Sequence, residues 1–315
     1  MLSVKGEEIS IVIRNFVPRD LDALADLING ADRVDGWGRV TSSERLREHL
    51  GRPEFYPALD LFLAERDGAM AGYAEISREL EIGHVIFEGV VHPAHRRLGI
   101  GTKLLERAID HSREMGASRA HIPIPEGVYP AQELVLKEGF VLVRRHRRLQ
   151  LRVGVGLPPV NLPAGVTLRQ FAPGDEERLT GIQNMAFSGS WGFKPNSVDE
   201  IGYRVGMSLC CPEGIIFAVE GGEVVGYCWT RIDAEYNRSC SRMCGEVFMV
   251  GVRPDWQGRG VGWGVLLAAI DHLRRQGMNE VALSVDSENT SACALYESLG
   301  FKQTGELLWY GKEPV

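Results

Sequence analysis

A chain of 315 residues is long enough for two domains of ordinary size, each with its own core. With 44% of residues apolar and 24% charged, the composition excludes the disordered, collagenous and fibrous classes and is that of a chain that folds unaided. The net charge of -7 argues against nonspecific nucleic-acid binding, which needs a basic surface, and is compatible with a cationic substrate.

In chain order, the N-terminus turns acidic at Glu7 and Glu8, where a secretory signal requires a continuous apolar stretch. Apolar runs such as residues 264–270 fall far short of the ~20 a membrane helix needs, so a cytoplasmic protein without a membrane partner is expected. The first strand is expected at residues 9–16, a hairpin at 61–77 and a further strand at 85–91. A helix at 101–115 and a strand at 120–124 follow. Residues 153–164 are rich in glycine and proline, which relax the backbone and remove ladder donors, and read as a linker.

Beyond it the order recurs. A strand is expected at 165–169, helices at 173–187 and 198–209, and two hairpin strands at 215–219 and 224–229. A buried strand at 246–252, an amphipathic helix at 262–276, a strand at 280–285 and a helix at 291–299 complete the copy. Gly300 supplies the left-handed stop of that last helix. Val91-His92-Pro93 before Arg96-Arg97-Leu98-Gly99-Ile100-Gly101 matches Val252-Arg253-Pro254 before Gln257-Gly258-Arg259-Gly260-Val261-Gly262 at an offset of 161 residues. A period this long means two copies of a whole domain, since solenoid repeats run to ~20–50 residues. The fold class is therefore α/β (α+β): domains at 1–152 and 165–315, each a mixed, mostly antiparallel sheet flanked by helices. Cys210, Cys211, Cys240 and Cys244 lack CxxC spacing, so free thiols and no metal site are expected.

Glycines between a strand and a helix let backbone N–H groups approach a phosphate, and the helix N-terminus adds positive potential. The loop at 257–262 matches neither the Walker pattern nor the dinucleotide pattern. An ordinary glycine turn is the alternative at one site, but two loops at corresponding places in a repeat favour a binding device. Val252-x-Pro254 with Gln257-x-x-Gly260-x-Gly262 resembles the acetyl-CoA pyrophosphate signature of the GNAT N-acetyltransferase superfamily. Asn289-x-x-Ala292-x-x-Leu295-Tyr296-x-x-x-Gly300-Phe301 is similar to that superfamily's other signature. The two-domain layout and the strand through Glu246 also resemble the mycothiol synthase family, a tandem group that acetylates a primary amine on a thiol sugar.

The resemblance implies that Val250 and Val252 hold the pantetheine arm of acetyl-CoA and that Gln257, Gly258, Arg259, Gly260, Val261 and Gly262 surround its pyrophosphate. It implies that Asn289 orients acetyl-CoA, that Glu246 is the general base and Tyr296 the general acid, and that Trp191 and Phe193 line the acceptor site. The plainer alternatives are a strand cap for Glu246, a packing ring for Tyr296, and core or lid residues for Trp191 and Phe193. His272 reads as a packing or surface histidine. In the first copy Arg96, Arg97, Leu98, Gly99, Ile100 and Gly101 form a second candidate loop. There the 161 offset sets Val85, Val128 and Val135 against Glu246, Asn289 and Tyr296. That copy thus lacks the acid and base, with His84 a conceivable substitute base, and a structural or lid role is favoured. The expectation is acetyl transfer from acetyl-CoA to a primary amine of a small molecule by a monomer or homodimer. A noncatalytic acyl-CoA sensor and a protein or peptide N-acetyltransferase are the alternatives.

Overall fold

The computed structural model of the protein describes residues 11–36, 40–154 and 156–315; the acidic start of the chain, Ile9 and Ser10 of the expected first strand and Val155 of the expected linker lie outside the described residues. The chain forms two compact units. One combines the chain up to Val143 with Trp309–Val315, and the other is Arg144–Leu308.

In the first unit the order is β1 (Ile11–Asn15), α1 (Leu21–Asp35), α2 (Ser43–Leu50), α3 (Pro57–Asp60), β2 (Leu61–Arg66), β3 (Ala69–Glu79), β4 (His84–Val91), α4 (Ile100–Glu114), β5 (Arg119–Pro125) and α5 (Tyr129–Lys137). Strands β1 to β4 pair antiparallel in sequence, and β5 lies parallel to β4. Leu61, Phe62, Leu63 and Ala64 form an unbroken apolar run, and all four are buried because helices cover both faces of the sheet. Helix α1 presents Leu24, Ala25, Leu27 and Ile28 at three- and four-residue spacing to a core shared with Leu61, Leu63 and Tyr73. On the other face α4 buries Ile100, Leu104, Leu105, Ala108 and Ile109.

The second unit opens with β6 (Val141–Arg152), which it takes from Arg144 onward. It continues with β7 (Thr167–Gln170), α6 (Glu176–Phe187), α7 (Val198–Gly206), β8 (Cys210–Glu220), β9 (Glu223–Arg231), α8 (Ala234–Cys240), β10 (Cys244–Val252), α9 (Val261–Arg275), β11 (Glu280–Asp286), α10 (Thr290–Ser298) and β12 (Lys302–Lys312). Its strands run in the order β12-β6-β11-β10-β9-β8-β7, antiparallel at β6–β11, β10–β9, β9–β8 and β8–β7 and parallel at β10–β11. Two cores sandwich this sheet. Leu149, Val247, Val281, Leu283 and Val285 face α9 and α10, while Phe217, Tyr227 and Trp229 face α6 and α7. The β8–β9 turn is Gly221-Gly222, both at positive φ (58° and 89°), as the tight hairpin demands.

Each sequence repeat thus ends in a strand whose distal part belongs to the other unit. The register of β6 on β11 runs from Arg152↔Glu280 to His146↔Asp286. In the first unit, Trp309 stands 6.4 Å edge-on from His121, Lys312 Nζ donates to the Glu138 carbonyl at 2.8 Å, and Arg113 Nε donates to Val315 at 3.0 Å. The described residues of the 153–164 segment are irregular, as its prolines and glycines require, but packed: Leu157 and Leu162 join the core under α9. Helix α6 begins at Glu176 and not at Pro173, because Gly174 turns left-handed (φ 95°) and Asp175 accepts from the Ala172 amide at 2.9 Å. Helix α7 stops at Gly206, three residues before the expected end, where Met207 becomes extended. Among the described residues no helix is long and apolar enough to cross a membrane.

Candidate active site

The parallel β10–β11 ladder lasts three pairs, Cys244↔Glu280, Gly245↔Val281 and Glu246↔Ala282. After Glu246 the strands part, although β10 continues to Val252 and β11 to Asp286. The other edge of β10 stays paired to β9, with the register shifting between Val247 and Met249, so Phe248 is the extra residue of a bulge. The Arg253 amide donates to the Val225 carbonyl at 3.0 Å. Since antiparallel partners alternate, the backbone groups of Val250 and Val252 point away from β9 and into the gap.

At the far end of β10 a short 3-10 turn, Pro254–Trp256, leads into the glycine loop. Gln257 Nε2 donates to the Val252 carbonyl at 3.3 Å, and the guanidinium groups of Arg253 and Arg259 lie 5.9 and 5.1 Å from the Trp256 ring centre. Gly258 (φ 72°) and Gly260 (φ 86°) hold backbone conformations that side-chain-bearing residues rarely adopt. Gly260 caps α9 without a side-chain acceptor, and the first helical bond is Gly264 N–H to the Gly260 carbonyl, so the amides of Val261, Gly262 and Trp263 are not consumed within the helix. Such a terminus suits a phosphate anion. The donor set therefore fits a pyrophosphate.

Glu246 sits where the ladder opens. Its side chain is exposed and has no hydrogen bond or ion pair among the described residues, yet protein surrounds its carboxyl closely enough to desolvate it. Burial there raises its carboxyl pKa above the ordinary value, Arg231 and Arg148 oppose the rise, and Asp233 adds to it. A carboxyl so placed takes up a proton more readily than a solvated one. Tyr296 lies on α10 with its ring 7% exposed and edge-on to Phe301 at 5.7 Å. Burial pushes its phenol pKa up, the Cys228 and Cys293 thiols act in the same direction, and the group stays protonated. Cys228 is the register partner of Val250, and both pack in the core that holds Tyr296. Asn289 Oδ1 accepts from the Ala292 amide and the Ser291 hydroxyl, both at 3.1 Å, so it is the N-cap of α10. Only its Nδ2 end is left to act as a donor.

Val281, Leu283, Val285 and Leu149 face α9, so Ala282, Ser284, Asp286, His146, Arg148 and Glu246 lie on the opposite face. Trp191 and Phe193, both half-buried, occupy the segment between α6 and α7. Trp191 meets His146 edge-on at 6.2 Å, and the Arg144 guanidinium lies 5.6 Å from its ring centre. Arg144 also donates to Asp286 at 2.9 Å and pairs with Glu288. Sequence reasoning passed over Arg144, His146 and Arg148 because they belong to the first repeat; no local signal says that their strand lies beside β11. His272 is buried, which pushes its imidazole pKa down. It lines a separate groove of about 620 Å³ between α9, β7 and residues 156–160.

The first unit keeps the splay and the loop but has apolar side chains at the positions of Glu246, Asn289 and Tyr296. Strands β4 and β5 pair through His84↔Arg119, Val85↔Ala120 and Ile86↔His121, and no further. Gly99 has φ 82°, and Arg97, the counterpart of Gly258, is held at φ 64°. Arg96 grips Asp35 through two bonds of 2.8 and 2.6 Å. Val128 caps α5 with no side-chain bond, and Val135 is buried. The residue facing the role of Glu246 is Ile86 and not Val85, because the bulge adds one residue to β10 and cuts the offset there to 160. His84 corresponds to Cys244. It is buried, bonded through Nδ1 to Glu79 and 4.5 Å from the His121 ring, and so does not take the base position. The six cysteines are unpaired, and among the described residues no cluster of three or more His, Cys, Asp or Glu could hold a metal.

The profile of the acetyltransferase (GNAT) family matches residues 24–140 and 178–301. The chain is 36% identical over 313 residues to a mycothiol acetyltransferase of Saccharomonospora viridis, covering 92% of this chain and 96% of that one. Among solved structures, a GCN5-related N-acetyltransferase from Sphaerobacter thermophilus superposes with a TM-score of 0.74 at 26% identity, over 96% of this chain and 95% of that one. A tandem GNAT protein from the clavulanic acid biosynthesis pathway superposes with a TM-score of 0.76 at 17% identity, over 97% and 99%, and bears on the fold alone.

Proposed function

The chain belongs to the acetyltransferase (GNAT) family, and from that membership we propose that the β10–β11 gap of the second unit is its catalytic centre, with Glu246 as base and Tyr296 as acid. The protein is an acetyl-CoA-dependent N-acetyltransferase acting on an amine-bearing small molecule. The observation that carries the assignment is the parallel ladder that ends at Glu246, with unspent α9 amides at the other end of the same gap.

Bound acetyl-CoA supplies an activated acyl thioester. The amides of Val250 and Val252 bind its pantetheine arm, and Gln257, Gly258, Arg259, Gly260, Val261 and Gly262 form the cradle for its pyrophosphate, with Asn289 Nδ2 as a further donor. An acceptor amine is mostly protonated near neutral pH, so Glu246 removes a proton before nitrogen attacks. The Tyr296 hydroxyl, kept protonated by burial, donates to the sulfur side as the thiol departs. Trp191 and Phe193 line the acceptor side. In the first unit Arg96, Arg97, Leu98, Gly99, Ile100 and Gly101 keep the cradle form, but Ile86 and Val135 can neither take nor give a proton, so its role is structural.

The test is thiol release from acetyl-CoA with a panel of small primary amines, the acceptor of the mycothiol acetyltransferases among them. Wild-type turnover and its loss in Glu246→Gln and Tyr296→Phe, with acetyl-CoA binding intact, are expected. Parallel loss of acetyl-CoA binding would assign both residues to structure.

A further inference from the structure

We propose that Arg148, on the strand β6 that ends the first repeat, is a positioning residue for Glu246 in the second unit. The inference rests on the reading of Glu246 as base. Gln150 and Glu246 flank Ala282 from opposite sides, and Arg148 is one same-face step along from Gln150, opposite Ser284. Strand spacing puts the Arg148 and Glu246 Cα atoms roughly 12 Å apart, a span that an extended arginine and a glutamate close between them. The intervening same-face residues, Ala282 and Ser284, are small and leave that path open.

The strand is rich in arginine, but its other guanidinium groups are engaged. Arg144 pairs with Asp286 and Glu288, Arg145 with Glu306, Arg147 with Glu297, and Arg152 reaches Glu280 at 3.9 Å. Arg148 is exposed and has no ion pair among the described residues. It is thus the one arginine of this strand at liberty to serve the cleft. The charged groups acting on the Glu246 carboxyl are Arg231 and Asp233 from the β9 side and Arg148 from β6; on its own strand the neighbouring titratable group is the Cys244 thiol. Arg231 also stacks on Phe248, 3.1 Å from the ring centre, which fixes it. Arg148 supplies the second positive charge from the opposite flank, so that two cations oppose the rise that burial causes and the carboxylate is aimed between them.

Arg148→Met and Arg148→Lys in the full chain test this through the pH profile of kcat/KM for the amine. Removing a cation makes the carboxylate easier to protonate, so the acid limb in Arg148→Met should move up by about half to one pH unit, the size of one partly screened charge at this range. Arg148→Lys should restore the limb, and the KM for acetyl-CoA and the melting temperature should stay at wild-type values. An unmoved acid limb in well-folded Arg148→Met overturns the inference while leaving Glu246 intact. If Glu246→Gln itself retains wild-type turnover and profile, the base assignment falls and the inference falls with it.

Discussion

Gly262→Val isolates the pyrophosphate cradle from everything else in the second unit. Gly262 is the second residue of α9, outside the positive-φ glycines, so valine adopts its backbone without strain and is a better helix former than glycine. A Cβ built there already comes 3.4 Å from Val252 Cγ2, and the two further methyl groups of valine are expected to crowd the start of α9, where the cradle is proposed. The helix should survive and the anion site should not. A ligand at 100-fold its Kd stabilises the native state by about 2.7 kcal/mol, and for a unit of this size that corresponds to a rise in melting temperature of about 5–11 °C. Differential scanning calorimetry with and without acetyl-CoA should show that rise in the wild-type second unit and its loss in Gly262→Val. Gly262→Ala, which adds only the tolerated Cβ, should keep most of it. A wild-type rise in well-folded Gly262→Val would refute the placement of the pyrophosphate at α9.

Glu246→Gln and Tyr296→Phe should each lower turnover by about two to four decades, measured by thiol release. The raised Glu246 pKa sets the acid limb of the wild-type profile, because activity is lost as the base is protonated; Glu246→Gln should abolish that limb in the residual rate, whereas Tyr296→Phe should alter the alkaline limb. Gly101→Val in the first unit should leave kcat/KM within roughly tenfold, an effect of about 1.4 kcal/mol or less. It should nonetheless destabilise that unit by about 1–3 kcal/mol, because its Cβ would stand 3.1 Å from Leu134 Cδ2, and urea unfolding reads that cost. The fourth expectation concerns Glu75 in the first unit, where burial raises the carboxyl but His49 and Arg52 outweigh it and hold the pKa at about 2. A depressed carboxylate contributes stability above its unfolded pKa near 4.5 and loses it as pH falls towards 2, so acid unfolding of that unit should be less steep in Glu75→Gln.

The sequence by itself determined the elements and the glycine loop that leads into α9. Helix α9 is legible from its apolar spacing, β10 from its run of buried residues, and the α9 entry from its glycines, of which Gly258 and Gly260 take positive φ in the structure. These are local properties: period, propensity and backbone freedom act over a few residues and can be read along the chain. Glu246 and Tyr296 could be named from motif position, but their surroundings could not.

What only the tertiary structure decided is which strand lies next to which. Nothing in the alternation of β6 says that Leu149 completes the core under α9, or that Arg148 shares a sheet face with Glu246, because a strand pattern fixes its faces but not its neighbour. The bulge at Phe248 is likewise invisible to a constant offset: one inserted residue makes Ile86, not Val85, the counterpart of Glu246 and reverses the faces upstream of it. The glycine- and proline-rich 153–164 segment reads locally as a tether, yet Leu162 packs so closely against α9 that a Cβ on Gly264 would stand 2.4 Å from its Cδ2. Each of these is a long-range contact, settled by the free energy of burying one surface against another far along the chain, and that information is not held in any window of the sequence.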